Sequence, residues 1–134
     1  MSILTEEKAA IEFARAWNRL EPEGFLSLLA PDARYASQWV FEELVGIESI
    51  ADYLRDKMET VRSHSVNNPD SRVQVEVGRT DQGSGSRPCA LMIQGCPDTV
   101  KAAVHFDINN NRIARYDLCV PELLGVERTG VYPI

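Results

Sequence analysis

Hydrophobic residues in the first half of the chain recur every three or four positions, which is the spacing of one face of a helix. The pattern predicts a first helix over 5–20, a short second helix over 22–29 and a third helix over 46–64. Thr5 and Gly46 suit the starts of the first and third helices, and Pro31-Asp32 ends the second. The buried stripes are Ala10, Phe13, Ala14, Trp17 and Leu20 in the first helix, and Ile47, Ile50, Ala51, Leu54, Met58 and Val61 in the third.

Other segments alternate between apolar and polar residues in the manner of half-buried strands, with turn residues between them. The predicted strands cover 33–39, 41–45, 73–77, 88–94, 99–108 and 112–120. The tail over 121–134 is too apolar to be free, and we expect it to pack on the domain or on a partner.

Alternation assigns side chains to the two faces of the sheet. Tyr35, Ser37 and Trp39 share one face of the first strand. Pairing Ile108 with Arg112 across the Asn109–Asn111 turn would place Val104 beside Tyr116 and Phe106 beside Ala114 on the inner face. Arg115, Asp117 and His105 would then point outward.

The order of two helices, a short hairpin, a third helix and four long strands resembles the nuclear-transport-factor-2-like superfamily, in particular its SnoaL-like branch. The resemblance rests on Phe13-x3-Trp17-Asn18, Leu28-Leu29-Ala30-Pro31-Asp32-Ala33, Gly46-Ile47-Glu48-x-Ile50 and Asn111-Arg112-Ile113. It implies an α+β fold over residues 1–134 as a single SnoaL-like cone domain. In that fold a cone-shaped, curved mixed β-sheet wraps around a pocket and is closed by three N-terminal helices. Many such proteins are homodimers.

Composition excludes several classes of partner. The chain has 134 residues and a net charge of −6, which argues against binding to nucleic acid or to an anionic membrane surface. It has no apolar run long enough to span a membrane, and its acidic N-terminus does not resemble a signal peptide, so we expect a cytoplasmic protein. Cys89, Cys96 and Cys119 lack the spacing of a metal site, and we expect neither a metal nor a cofactor.

Several positions of this chain correspond to catalytic residues of enzymes in the family that it resembles. Ketosteroid isomerase uses an Asp base, a Tyr and a protonated acid. The resemblance places these at Ser37, Phe13 and Val104, so that activity is rejected. Scytalone dehydratase and related bile-acid dehydratases use a histidine that His64 resembles, but their Tyr-Asp pair matches Trp17-Asn18. Limonene epoxide hydrolase uses an Asp–Arg–Asp set, and here Arg115 and Asp117 are predicted to face outward.

Three functions stay open. The first, favoured because the catalytic acids are missing, is a small-molecule-binding protein with a mainly apolar pocket that takes a small hydrophobic molecule. The second is a cofactor-free lyase or isomerase acting on a hydrophobic carbonyl or hydroxy compound, with His64 as catalytic base. The third is a non-catalytic dimeric interaction module. Apolar residues on both faces of 88–93 and 99–108 predict a homodimer through the outer face of the sheet. The residues expected to line the pocket are Phe13, Trp17, Asn18, Tyr35, Ser37, Trp39, Val104, Phe106, Tyr116 and Leu118.

Overall fold

The computed structural model of the chain describes residues 3–37, 40–67, 73–81, 85–94, 99–121 and 125–134, with the side chains of 40, 41 and 65–67 left aside. This part of the chain contains three helices and seven strands. The helices are α1 (Glu6–Arg19), α2 (Glu23–Leu26) and α3 (Ile47–Asn67). The strands are β1 (Leu29–Ser37), β2 (Val40–Val45), β3 (Gln74–Asp81), β4 (Ser86–Gln94), β5 (Thr99–Asn109), β6 (Arg112–Cys119) and β7 (Gly125–Val131).

The helix boundaries follow local signals in the sequence. The side chain of Thr5 accepts a hydrogen bond from the Lys8 N–H at 3.1 Å, which caps α1 as predicted. Gly46 has a φ of 95°, a conformation that favours glycine, and it leads the chain into α3. The second helix is shorter than predicted because Leu29 already belongs to β1, where it is the register partner of Ile113.

The seven strands form one mixed sheet in the order β2-β1-β6-β5-β4-β3-β7. Strands β1 and β6 are parallel, and every other neighbouring pair is antiparallel. The sheet is curved and open, and α1 and α3 pack against it. This architecture confirms the predicted cone-like α+β fold.

The register between β5 and β6 differs from the prediction by two residues. Asn109 pairs with Arg112, so the hairpin loop contains only Asn110 and Asn111, both with positive φ. Asparagine tolerates this conformation, which the tight turns of hairpins require. With a further shift between Asp107 and Ile108, Phe106 lies opposite Tyr116 and Val104 lies opposite Leu118. Because the change is an even number of residues, the inner face keeps its apolar side chains.

The C-terminal tail contains a seventh strand, β7, which pairs with β3. Beside it, the Glu76 carboxylate is fully buried, paired with Arg128 and hydrogen-bonded by the Gly130 N–H at 2.8 Å. A side chain at Gly78 would collide with Leu91 and with the Glu127 carbonyl oxygen. The tail is therefore joined to the sheet by close backbone contact and by a partly buried ion pair.

The outer face of the sheet is already covered where it is most apolar. Cys89, Leu91 and Ala103 are fully buried there, and Val100 and Val126 pack against them. The predicted homodimer was based on apolar outer residues in these strands. The homodimer stays a prediction. The apolar outer residues on which it was based are covered by other residues of the same chain.

The inner face of the sheet carries a cluster of aromatic rings that are packed mostly edge to face. Phe13 of α1 contacts Phe25, Phe106 and Tyr116 with ring centroids 5.1, 5.5 and 5.9 Å away. Such pairs stabilise a core beyond the area that they bury. Two rings of this cluster, Phe13 and Tyr116, also line the cavity described below.

None of the described helices is long and apolar enough to cross a membrane. Over the same described part of the chain, no three side chains of the metal-ligating types come together in one group.

Candidate ligand-binding cavity

A cavity of about 240 Å³ lies inside the cone, between α1, α3 and the inner face of the sheet. Most of its walls are aromatic and aliphatic. Its described lining consists of Phe13, Trp17, Tyr35, Tyr53, Leu54, Lys57, Val61, Val73, Met92, Tyr116 and Leu118.

Three tyrosines form one wall of this cavity. The rings of Tyr35 and Tyr116 are stacked with centroids 4.5 Å apart, and the ring of Tyr53 lies 5.5 Å from that of Tyr35. Burial raises the pKa of Tyr35 and of Tyr116 well above the ordinary value, and nearby tyrosines add to the shift. The phenols of Tyr35 and Tyr116 therefore stay neutral at physiological pH and can donate hydrogen bonds.

Two buried donors of the lining have no hydrogen-bond partner among the described residues. They are the indole Nε1 of Trp17 and the hydroxyl of Tyr116. Trp17 is 6% exposed and Tyr116 is 1% exposed. A buried donor without an acceptor costs about 1–3 kcal/mol, so such atoms are uncommon in folded proteins.

A second pocket of about 320 Å³ adjoins the cavity and shares Val73, Met92 and Leu118 with it. We call this second pocket, because of the lining residues that it shares with the cavity, the mouth of the cavity. It is mainly apolar, and Lys101 is its charged residue.

The structure brings half of the predicted pocket residues to the cavity. Phe13, Trp17, Tyr35, Tyr116 and Leu118 line it. Val104 and Phe106 do not; both are fully buried in the core that surrounds it. Alternation placed these two residues on the inner face but could not show how deeply they would be covered.

Asn18 and Ser37 are not part of the described cavity lining. The Asn18 side chain accepts a hydrogen bond from the Val75 N–H and donates to the Val75 and Pro133 carbonyls, at 2.7–2.8 Å. Asn18 therefore ties α1 to β3 and to the C-terminus. Ser37 hydrogen-bonds to Tyr35 and lines another pocket, which shares Leu118 with the cavity.

The structure does not bring His64 to the cavity. It lies in the last turn of α3 with an exposed side chain, and it is not part of the described lining. Its catalytic role stays a prediction. Trp39 lies outside the described residues.

Tyr53 and Lys57 line the cavity although the sequence pattern did not predict it. They are four positions apart in α3, beside the predicted apolar stripe, and the Lys57 Nζ lies 5.7 Å from the centre of the Tyr53 ring. Spacing by four puts two side chains next to each other on a helix. The spacing of Tyr53 and Lys57 was therefore the sequence signal that could have identified these two lining residues.

The pocket that Ser37 lines, of about 320 Å³, contains a buried histidine. His105 is 3% exposed; its Nε2 lies 2.6 Å from the Thr80 hydroxyl and its Nδ1 lies 3.7 Å from the Cys119 sulfur. Burial, and then the positive charge of Arg87, lower the pKa of His105. His105 points away from the cone as predicted. Arg115 and Asp117 are paired with each other at 2.9 Å and are not part of the described cavity lining.

The burial of His105 predicts a dependence of stability on pH. The folded state resists protonation of this imidazole, whereas the unfolded chain binds the proton below about pH 6.5. The free energy of unfolding should therefore fall as the pH is lowered from about 7.5 to 5.5. Urea titrations at several pH values measure this loss, which H105Q should abolish.

His64, the other histidine of the chain, provides the control. We expect H64Q, at an exposed position, to keep the wild-type pH dependence. An H105Q variant that still loses as much stability as the wild type over this pH range would contradict the assignment.

A further groove of about 550 Å³ lies outside the cone, between α2 and α3. Glu23 and Arg55 form an exposed ion pair along it at 2.9 Å, and Glu48 and Asp52 complete its charged rim. Exposed pairs of this kind contribute little to stability. The groove has no contact with the aromatic cavity.

This chain shares the cone-like α+β fold of solved nuclear-transport-factor-2-like and SnoaL-like proteins. A SnoaL-like protein of unknown function from Burkholderia thailandensis is 17% identical over 89% of this chain and 98% of that one, with a TM-score of 0.56. A protein with a ketosteroid isomerase-like fold from Catenulispora acidiphila, in complex with trimethylamine, is 15% identical over 86% of both chains, with a TM-score of 0.54.

A third similar structure is an NTF2-like protein of unknown function from Cytophaga hutchinsonii. It is 12% identical over 90% of this chain and 95% of that one, with a TM-score of 0.52. Neither a protein-family model nor a curated protein matches the sequence. At these identities the structures establish a shared fold, which confirms the predicted resemblance at that level.

Proposed function

We propose that this protein binds a small, mainly apolar molecule inside its cone. The observation that carries the proposal is an aromatic cavity whose walls contain two buried donors without partners, Trp17 Nε1 and the Tyr116 hydroxyl. Ligand sites in proteins are usually apolar concavities with a few polar groups that orient the ligand. Both residues that carry these unpaired donors, Trp17 and Tyr116, line the cavity.

The size of the space supports the same proposal. The inner cavity and its mouth, of about 240 and 320 Å³, lie near the lower end of the roughly 300–1,000 Å³ common for ligand sites. The Catenulispora acidiphila structure, which has this fold, contains trimethylamine. A protein of this architecture can therefore hold a small organic molecule.

The lyase or isomerase alternative has less support. A general base must lie within hydrogen-bonding reach of the proton that it removes. The described lining of the cavity includes neither a histidine nor a carboxylic acid, and His64 is exposed. We therefore place binding ahead of catalysis.

The proposal is tested with 1-aminoanthracene, a neutral aromatic probe whose emission increases in apolar sites. We expect saturable binding to the wild type. L118F should weaken it about tenfold or more, because Leu118 lines both the cavity and its mouth and a larger side chain would fill the space.

V131F is the matched control, because Val131 lies on β7 with 57% of its surface exposed and is not part of the described lining. Thermal melts establish that both variants are folded. Absence of saturable binding to the wild type, or equal weakening by both substitutions, would overturn the proposal.

A further inference from the structure

We propose that the ligand of this cavity is an amphipathic anion, with an apolar ring or chain inside the cone and a carboxylate at its mouth. This inference rests on the proposed binding function and adds the charge of the ligand to it. It comes from the charged residues in the described lining of the cavity and of its mouth, which are both lysines.

Lys57 is the charged residue of the inner cavity. Its ammonium group lies 5.7 Å from the centre of the Tyr53 ring, and it forms no ion pair with any described residue. A cation over an aromatic face is held near that ring by electrostatic attraction. The Lys57 charge is therefore positioned beside the cavity and lacks an anionic partner among the described residues.

Lys101 holds the corresponding position at the mouth. It lines the pocket that shares Val73, Met92 and Leu118 with the cavity, and it too has no described ion-pair partner. In contrast, Arg87, Arg115 and Arg128 are all paired with carboxylates. Lys57 and Lys101 thus combine a position on the described apolar lining with the lack of a described ion-pair partner.

The distribution of charge over the whole chain makes this arrangement selective. The sequence has a net charge of −6 and only three lysines, Lys8, Lys57 and Lys101. Two of the three line the cavity or its mouth, and no Asp or Glu belongs to the described lining of either. The acidic remainder of the surface repels anions, whereas the mouth attracts them and places a carboxylate next to apolar walls.

The test compares two ligands that differ in charge. Displacement of 1-aminoanthracene gives the affinities of 4-phenylbutyrate and of its neutral amide, 4-phenylbutanamide. The wild type should bind the carboxylate more tightly, by about fivefold or more, and this preference should shrink as salt is added. K57Q and K101Q should each weaken carboxylate binding about two- to fivefold, and the double variant should remove the preference.

K8Q is the matched control, because Lys8 is exposed in the first turns of α1 and does not belong to the described lining. It should keep the full preference for the carboxylate. The proposal of an anionic ligand would be overturned if the wild type had equal affinities for the two compounds. It would also be overturned if the lysine variants weakened the binding of both compounds equally. In either case the binding function would stand. A wild type that binds the probe and neither compound would also overturn the proposal of an anionic ligand, and failure to bind the probe itself would overturn the binding function.

Discussion

Replacing Trp17 by alanine is expected to lower the free energy of unfolding by about 3–5 kcal/mol, the range found for large buried aromatic residues. Trp17 is 6% exposed and belongs to the main core, where its ring lies 6.5 Å from that of Phe13. The substitution would remove a ring from the cavity wall and enlarge a space that the backbone cannot close. Urea denaturation measures the loss.

W17F separates the two roles of the side chain. The indole Nε1 has no partner among the described residues, so a phenyl ring loses volume but no described hydrogen bond. We expect W17F to cost clearly less than W17A, about 1–2 kcal/mol. A loss below about 1 kcal/mol for W17A would show that Trp17 is not packed in the core.

The second large loss of stability is expected when the ion pair between Glu76 and Arg128, which joins the C-terminal tail to the sheet, is broken. Glu76 has no exposed surface, and Arg128 of β7 neutralises it. R128M would leave the carboxylate buried with the Gly130 N–H as its other described partner. Loss of one member of a buried pair costs about 3–5 kcal/mol. Because the Arg128 side chain is 40% exposed, we expect about 3 kcal/mol, at the low end of that range.

A double variant tests whether unpaired charge causes this loss. E76Q with R128M removes both charges, and the glutamine can still accept from Gly130. It should therefore be more stable than R128M alone, as measured by urea denaturation. A double variant less stable than R128M would show that packing of the arginine, and not its charge, stabilises the tail.

The sequence predicted which face of each element is inward, because side-chain periods of 3.6 and 2 follow directly from backbone geometry. For that reason five residues predicted to line a pocket do line the described cavity, and their role in binding stays a prediction: Phe13, Trp17, Tyr35, Tyr116 and Leu118. The same periods do not indicate how deeply a side chain on the inner face is buried. Phe106 shares the inner face but is fully covered, because the curvature of the sheet and the neighbouring rings decide what stays accessible.

Other features depend on contacts between distant parts of the chain. The Asn18 amide donates hydrogen bonds to the carbonyls of Val75 and Pro133, which are 57 and 115 residues away in sequence. No local sequence pattern predicts those partners. The tail was recognised as too apolar to be free, but its pairing with β3 was not predicted. The buried ion pair beside it shows why: Glu76 lies in a strand whose alternation predicts an exposed position.

The measurement that tests the central claim most directly is quenching of the Trp17 emission by a ligand that carries a heavy atom. The chain has two tryptophans, so W39F leaves Trp17 as the only one. Titration with 4-(4-iodophenyl)butyrate should quench its emission saturably, because iodine inside the cavity would contact the indole that lines it. Quenching that rises linearly without saturation, or that an excess of 4-phenylbutyrate does not reverse, would contradict the binding of an amphipathic anion inside the cone.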